Sequence, residues 1–177
     1  MFDTVFGLPV HILILHLTVV GLPVAALATI AVAVRPAWLP RFGWWVVALD
    51  AVLLVVVYVT RESGEKLAHR LWPNADDRPP AVRTHISRGE DLLWYAVALL
   101  VTAIVLVLVA RERNRGAMFR RPFPPFLVPV AGVLAVAAAV LTIIQVIRVG
   151  DSGARAVWRP VVQSTNAVSA PVDRLLG

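Results

Sequence analysis

No cysteine occurs in the chain, and charged residues are scarce, at 16% of 177. The first absence excludes disulfides, thiolate-held zinc, iron–sulfur clusters on the chain's own ligands and thioether-linked haem. Chemistry must come from histidine, carboxylates or a bound cofactor. The second absence accompanies 59% hydrophobic residues and a mean hydropathy of +0.77, too apolar for a soluble globular domain. Two familiar catalytic patterns are also missing: no helical His pair four apart with Glu for zinc, and no strand-turn-helix elbow around a serine. An enzyme in the strict sense is not expected.

What the chain has is four long apolar blocks, and crossing the hydrocarbon takes about 20 helical residues at roughly 1.5 Å each. The blocks are residues 10–34, 44–60, 92–110 and 126–147. Trp44 and Trp45 open the second where an interfacial aromatic belt belongs. The expected fold is all-α: a polytopic membrane protein of four transmembrane helices in two tandem hairpins. One domain covers residues 1–160, with halves at about 6–72 and 83–160, and residues 161–177 form a loosely ordered tail.

The first block is too long for a signal-peptide core, and the segment before it, "MFDTVFGL", has no Lys or Arg, so this span is expected to stay in the membrane. Arg35 and Arg41 lie in the first short loop; Arg111, Arg113, Arg115, Arg120 and Arg121 crowd the third. Basic short loops face the cytoplasm, so both termini are expected outside. The net charge of +6 then follows from topology, and no nucleic-acid partner is implied.

One polar pattern occurs twice, after the second span and after the fourth. "ESGEK" comprises Glu62, Ser63, Gly64 and Lys66; "DSGAR" comprises Asp151, Ser152, Gly153 and Arg155. With four spans both copies lie on one face of the membrane, and each half begins near a histidine, His11 or His85. A parallel duplication of this kind relates its halves by a pseudo-two-fold axis along the membrane normal, with a site between them. Acid and base are four apart, the favoured order for a helical ion pair, and the serines or acids could start a new interfacial turn. The glycines admit close approach of a backbone or a flat ligand. The plain alternative is a polar helix end.

Intramembrane histidines are functional candidates by default. His11 shares a helix face with Thr18, Ala25 and Ala28, so it should point into the bundle; His16 is five residues on, about 140° around, and serves another face. His85 precedes the third span beside Ser87 and Glu90, a capping-box pattern. His69 has Trp158 as its counterpart in the second copy, which argues against a ligand role. Asp50 should reach Arg35 or Arg41 at the inner interface. Ala131, Ala135, Ala138, Thr142 and Gln145 share one face of the fourth span, and Asp91, Tyr95, Ala98 and Thr102 one face of the third. Pro23 and Pro129 should kink their spans.

The stretches "FGLPVHILILHLTVVGLP", "ESGEKLAH" and "VGDSGARAVW" resemble the domain of unknown function 2231 family of small bacterial membrane proteins over about residues 6–160. The resemblance implies a first helix with His-Pro and a second His five residues later, matched by His11 and His16, with Ile12 in place of the proline. It implies Gly-His-Ser-Gly-Ala at the last motif, where Asp151 replaces the histidine. The joining of some members to Rieske-type domains implies work beside an electron-transfer chain.

Three readings result. One is an electron-transfer subunit holding haem b in the outer third of the bundle, with His11 and either His85 or His16 as axial ligands. Another is an accessory or assembly subunit of a respiratory or other redox membrane complex, with homo-oligomerisation open. The third is a metal or proton pathway through His11, His16 and Glu62 or Asp151.

Overall fold

The computed structural model describes the backbone of residues 4–5, 8–118 and 124–168, and side chains from 11–114, 124–159, 161–162 and 164. A two-residue antiparallel pairing, β1 (Thr4–Val5) with β2 (Leu8–Pro9), leads into four helices: α1 (Val10–Val34), α2 (Leu39–Leu71), α3 (Pro80–Met118) and α4 (Leu127–Val168). All four are long and apolar enough to cross a membrane. Each apolar block became a helix because a segment in lipid must satisfy its own backbone hydrogen bonds.

Three of these helices outrun the blocks that announce them. α2 continues without a break through Glu62–Lys66, and α4 through Asp151–Arg155, so neither motif begins a new turn. α3 begins at Pro80, which suits an N-terminal helical position, and Ser87 and Glu90 fall inside the helix rather than at its cap. α4 stays helical to Val168, past the expected boundary at 160; residues 169–177, like Arg120 and Arg121, lie outside the described residues. Pro23 is held within a continuous α1, whereas Pro129 sits in the first turn of α4, where a missing N–H breaks no helical bond.

The helices form a closed ring in which α1 and α3 each pack against both α2 and α4. Lipid supplies no hydrophobic drive between helices, so their union depends on close packing of small side chains. Accordingly Ala25, Ala26, Ala96, Ala103, Ala131, Ala135 and Ala139 are buried. Branched residues such as Val20, Val52 and Val133 are well over half exposed and face the lipid. Two apolar clusters fill the ring, one around Leu22, Leu53 and Leu99 and the other around Val32, Val47 and Leu106.

The small-residue faces of α1 and α4 are as expected: Thr18, Ala25, Ala131, Ala135, Ala138, Thr142 and Gln145 are all buried. α3 is different. Its buried positions are Leu92, Ala96, Leu99, Ala103, Leu106 and Val107, while Asp91 and Ala98 are exposed and Thr102 bonds its own helix at Ala98 O, 2.8 Å away. Burying the Leu and Ala face of α3 fills the core better than its polar face would.

Candidate functional site

The two motif copies build the same arrangement. In the first, His11 Nδ1–H donates to the carbonyl of Thr60 at 2.9 Å, and Ser63 Oγ donates to that same carbonyl at 3.0 Å. In the second, His85 Nδ1–H is shared between the carbonyl of Val149 and Ser152 Oγ, both at 3.2 Å, and Ser152 Oγ donates to Val149 O at 2.8 Å. Each station therefore joins a histidine to a serine on the next helix through one backbone carbonyl. A carbonyl only accepts, so both rings carry a proton on Nδ1, and in the neutral ring the lone pair then lies on Nε2. Neither Nε2 makes a hydrogen bond among the described residues.

The motif glycine makes each station fit. A Cβ on Gly64 would lie 2.8 Å from His11 Cε1, and one on Gly153 would lie 3.0 Å from His85 Cε1. What approaches each glycine is the chain's own imidazole. Ser152 is 3% exposed, and its hydroxyl is satisfied inside the station.

The other polar residues of the motifs differ between copies. Asp151 forms the expected pair four residues along, with Arg155 Nε 3.0 Å from Oδ2. Glu62 does not pair with Lys66; Arg61 takes it at 3.0 Å and also approaches Glu90 of α3 at 3.6 Å. Glu65 instead binds Arg78, 2.9 Å away. Gln145 Nε2 donates to the carbonyl of Arg88 at 2.9 Å, tying α4 to α3 near the second station.

His16 is placed elsewhere. It is exposed on α1, with Nδ1 bonded to its own helix at Ile12 O, 3.0 Å away, so His11 and His85 each enter a station and His16 enters neither. His69 lies exposed in the last turn of α2. Among the described residues no three His, Cys, Asp or Glu side chains are grouped as a metal site.

Thr60 and Val149 have no signature, because the working atom of each is a backbone carbonyl and any residue supplies one. Thr18 does more than mark the inward face of α1: its hydroxyl lies 2.8 Å from Thr60 Oγ1, tying the first station further down α1. Asp50 departs from expectation altogether. It is 1% exposed, accepts from Thr29 Oγ1 at 3.1 Å through Oδ2, and reaches neither Arg35 nor Arg41. Those arginines lie over the rings of Trp38 and Phe42 at 5.1 and 5.4 Å. Asp50 faces inward on α2, and its Oδ1 has no partner.

Comparison with curated proteins and comparison with solved structures returned no match. A family model described as "predicted membrane protein (DUF2231)" matches residues 7–166, which contain all four spans and both stations. This chain, with its four membrane-spanning helices and paired histidine stations, belongs to the DUF2231 family of membrane proteins.

Proposed function

We propose that the paired stations form one two-histidine centre of an electron-transfer membrane subunit, with haem b as the bound group. The observation that carries this reading is the shared tautomer: His11 and His85, on different helices, both anchor Nδ1–H on a carbonyl and leave Nε2 unengaged. Carbonyl-anchored Nδ1–H is the outer-shell contact that orients metal-ligating histidine. The donor set suits haem iron, which takes two axial nitrogens, better than zinc, which needs three or four protein ligands. When bound, the group would supply one-electron redox chemistry. The chain's own part is to hold two neutral imidazoles in fixed orientation in the membrane.

The centre belongs, in this reading, to a tandem pair of hairpins related by a two-fold axis. Two further contacts support that relation. Gly43 of α2 packs against Val107 of α3, and Gly132 of α4 lies against the carbonyl of Ala33 of α1. Each glycine precedes the motif glycine of its helix by the same interval, 43 to 64 and 132 to 153. Each contacted residue follows its station histidine by the same interval, 11 to 33 and 85 to 107. Exchanging the hairpins exchanges the contacts. With basic short loops facing the cytoplasm, the stations and both termini lie on the outer face of a bacterial cytoplasmic membrane.

The test is the optical spectrum of detergent-purified protein, expressed with haem available, before and after dithionite. A Soret band and sharp reduced α and β bands are expected, lost in His11→Ala and in His85→Ala but retained in His16→Ala. A featureless spectrum would overturn the haem reading. It would leave the stations as structural clasps and the chain as an accessory subunit, a reading favoured by the charged residues Arg61, Glu90, Arg88 and Asp151 around them.

A further inference from the structure

A second polar feature lies at the end of the bundle away from the stations. The start of α2 and the end of α3 enclose an open cavity of about 340 Å³. Its buried lining is apolar, from Leu39, Val107 and Val128, and its exposed lining combines Pro36, Pro40 and Trp44 with the polar and cationic Arg111, Arg113 and Asn114. No acidic side chain lines it.

Three independent observations give this cavity a preference for anions. Arg111 and Arg113 make no ion pair among the described residues, unlike Arg61, Arg78, Arg88 and Arg155 at the station end. α2 begins at the cavity with no acid in its first turn, so no carboxylate offsets the positive end of its dipole there, although Leu39 N–H is taken by Pro36 O. Arg35 and Arg41, the neighbouring cations, are turned onto aromatic rings and add to the positive field. A wall that is apolar within and cationic at the rim, opening at the membrane surface, matches a molecule with a phosphate head and a hydrocarbon body.

We propose that this cavity is a binding site for an anionic phospholipid, its phosphodiester headgroup held by Arg111 and Arg113 and its first acyl carbons resting on Leu39 and Val107. Basic pockets between transmembrane helices hold such headgroups by the same charge logic. The close approach of α2 to α3 at Gly43, whose Cβ would lie 2.8 Å from Val107 Cγ2, sets the depth of the pocket.

Native mass spectrometry of the detergent-purified full chain tests this, with phosphatidylglycerol, phosphatidylcholine and inorganic phosphate added in turn. Retention of phosphatidylglycerol over phosphatidylcholine is expected, falling about thirtyfold in the double variant Arg111→Gln/Arg113→Gln. A control double variant at the other end, Arg148→Gln/Arg159→Gln, should retain it unchanged. Equal retention of both lipids, or equal loss in both variants, would overturn the site, since only the general surface charge would then be acting. Binding of inorganic phosphate without lipid preference would overturn the lipid assignment. Thermal unfolding of each variant without added lipid separates lost binding from lost folding, and Trp44→Ala offers a second, uncharged variant in which phosphatidylglycerol retention should also weaken.

Discussion

At the level of single residues, the stations set the glycines apart from one another. Gly64→Ala and Gly153→Ala each drive a methyl into an imidazole that a carbonyl bond keeps from retreating. Overpacking of this kind costs about 1–3 kcal/mol, so both variants should unfold earlier in a thermal melt in detergent. Gly89 is a helical glycine of α3 with nothing within 4 Å of an added Cβ. Gly89→Ala should therefore be neutral or stabilise by up to about 1 kcal/mol, because only the backbone entropy of glycine changes. A uniform response of the three glycines would contradict the stations.

Asp50 raises a different residue-scale question. It sits on α2 between Val47 of one apolar cluster and Leu53 of the other, with one hydrogen bond for two buried oxygens. Thr29→Val removes that bond and should cost about 1–3 kcal/mol, the price of an unsatisfied buried polar group. Asp50→Leu in the Thr29→Val background should recover most of the loss, since a hydrophobic side chain of similar reach leaves nothing to satisfy. Denaturant unfolding of the two single variants and the double variant measures that coupling. Strictly additive losses would mean that the pair does not interact.

At the level of elements, the helices are joined where glycine lets them touch. Gly43 brings α2 onto α3 at Val107, so Gly43→Ala should loosen that seam by about 1–3 kcal/mol, and Val107→Ala should relieve it in combination by vacating the colliding methyl. The same logic explains how long helices came from shorter apolar blocks. Past Thr60 on α2 and past Ile147 on α4 the sequence turns polar, which reads as an ending. The helix nevertheless continues there, although Gly, Ser and Asp are weak helix formers, because local ion pairs such as Asp151 with Arg155 and packing of the preceding helix's histidine against the motif glycine hold it in place. Polarity marks the edge of the lipid and leaves the end of the helix undecided.

For the whole molecule, the topology makes a prediction that the absence of native cysteine renders simple to test. Single cysteines introduced at Asp76, between α2 and α3, and at Ala37, between α1 and α2, should be labelled from opposite sides of the membrane by an impermeant thiol reagent. In intact cells the outward reading requires labelling at position 76 and protection at position 37. The reverse pattern would turn the stations towards the cytoplasm and with them the expected side of any redox partner.

Number, kind and approximate place of the spans were determined by the sequence alone, because lipid forces every apolar block of sufficient length to become a helix. The inward faces of α1 and α4 were legible too, as small residues must line surfaces that meet without hydrophobic drive. Which helix meets which, and where, was decided only in three dimensions. That His11 reaches Thr60 and His85 reaches Val149 depends on a backbone carbonyl that no residue type advertises. That Asp50 turns to Thr29 rather than to an arginine depends on its angular position on α2 rather than on its depth. The paired glycines were visible in the sequence as a repeat; their use, to seat an imidazole from the preceding helix, is a property of packing, because a missing side chain has meaning only through what fills its place.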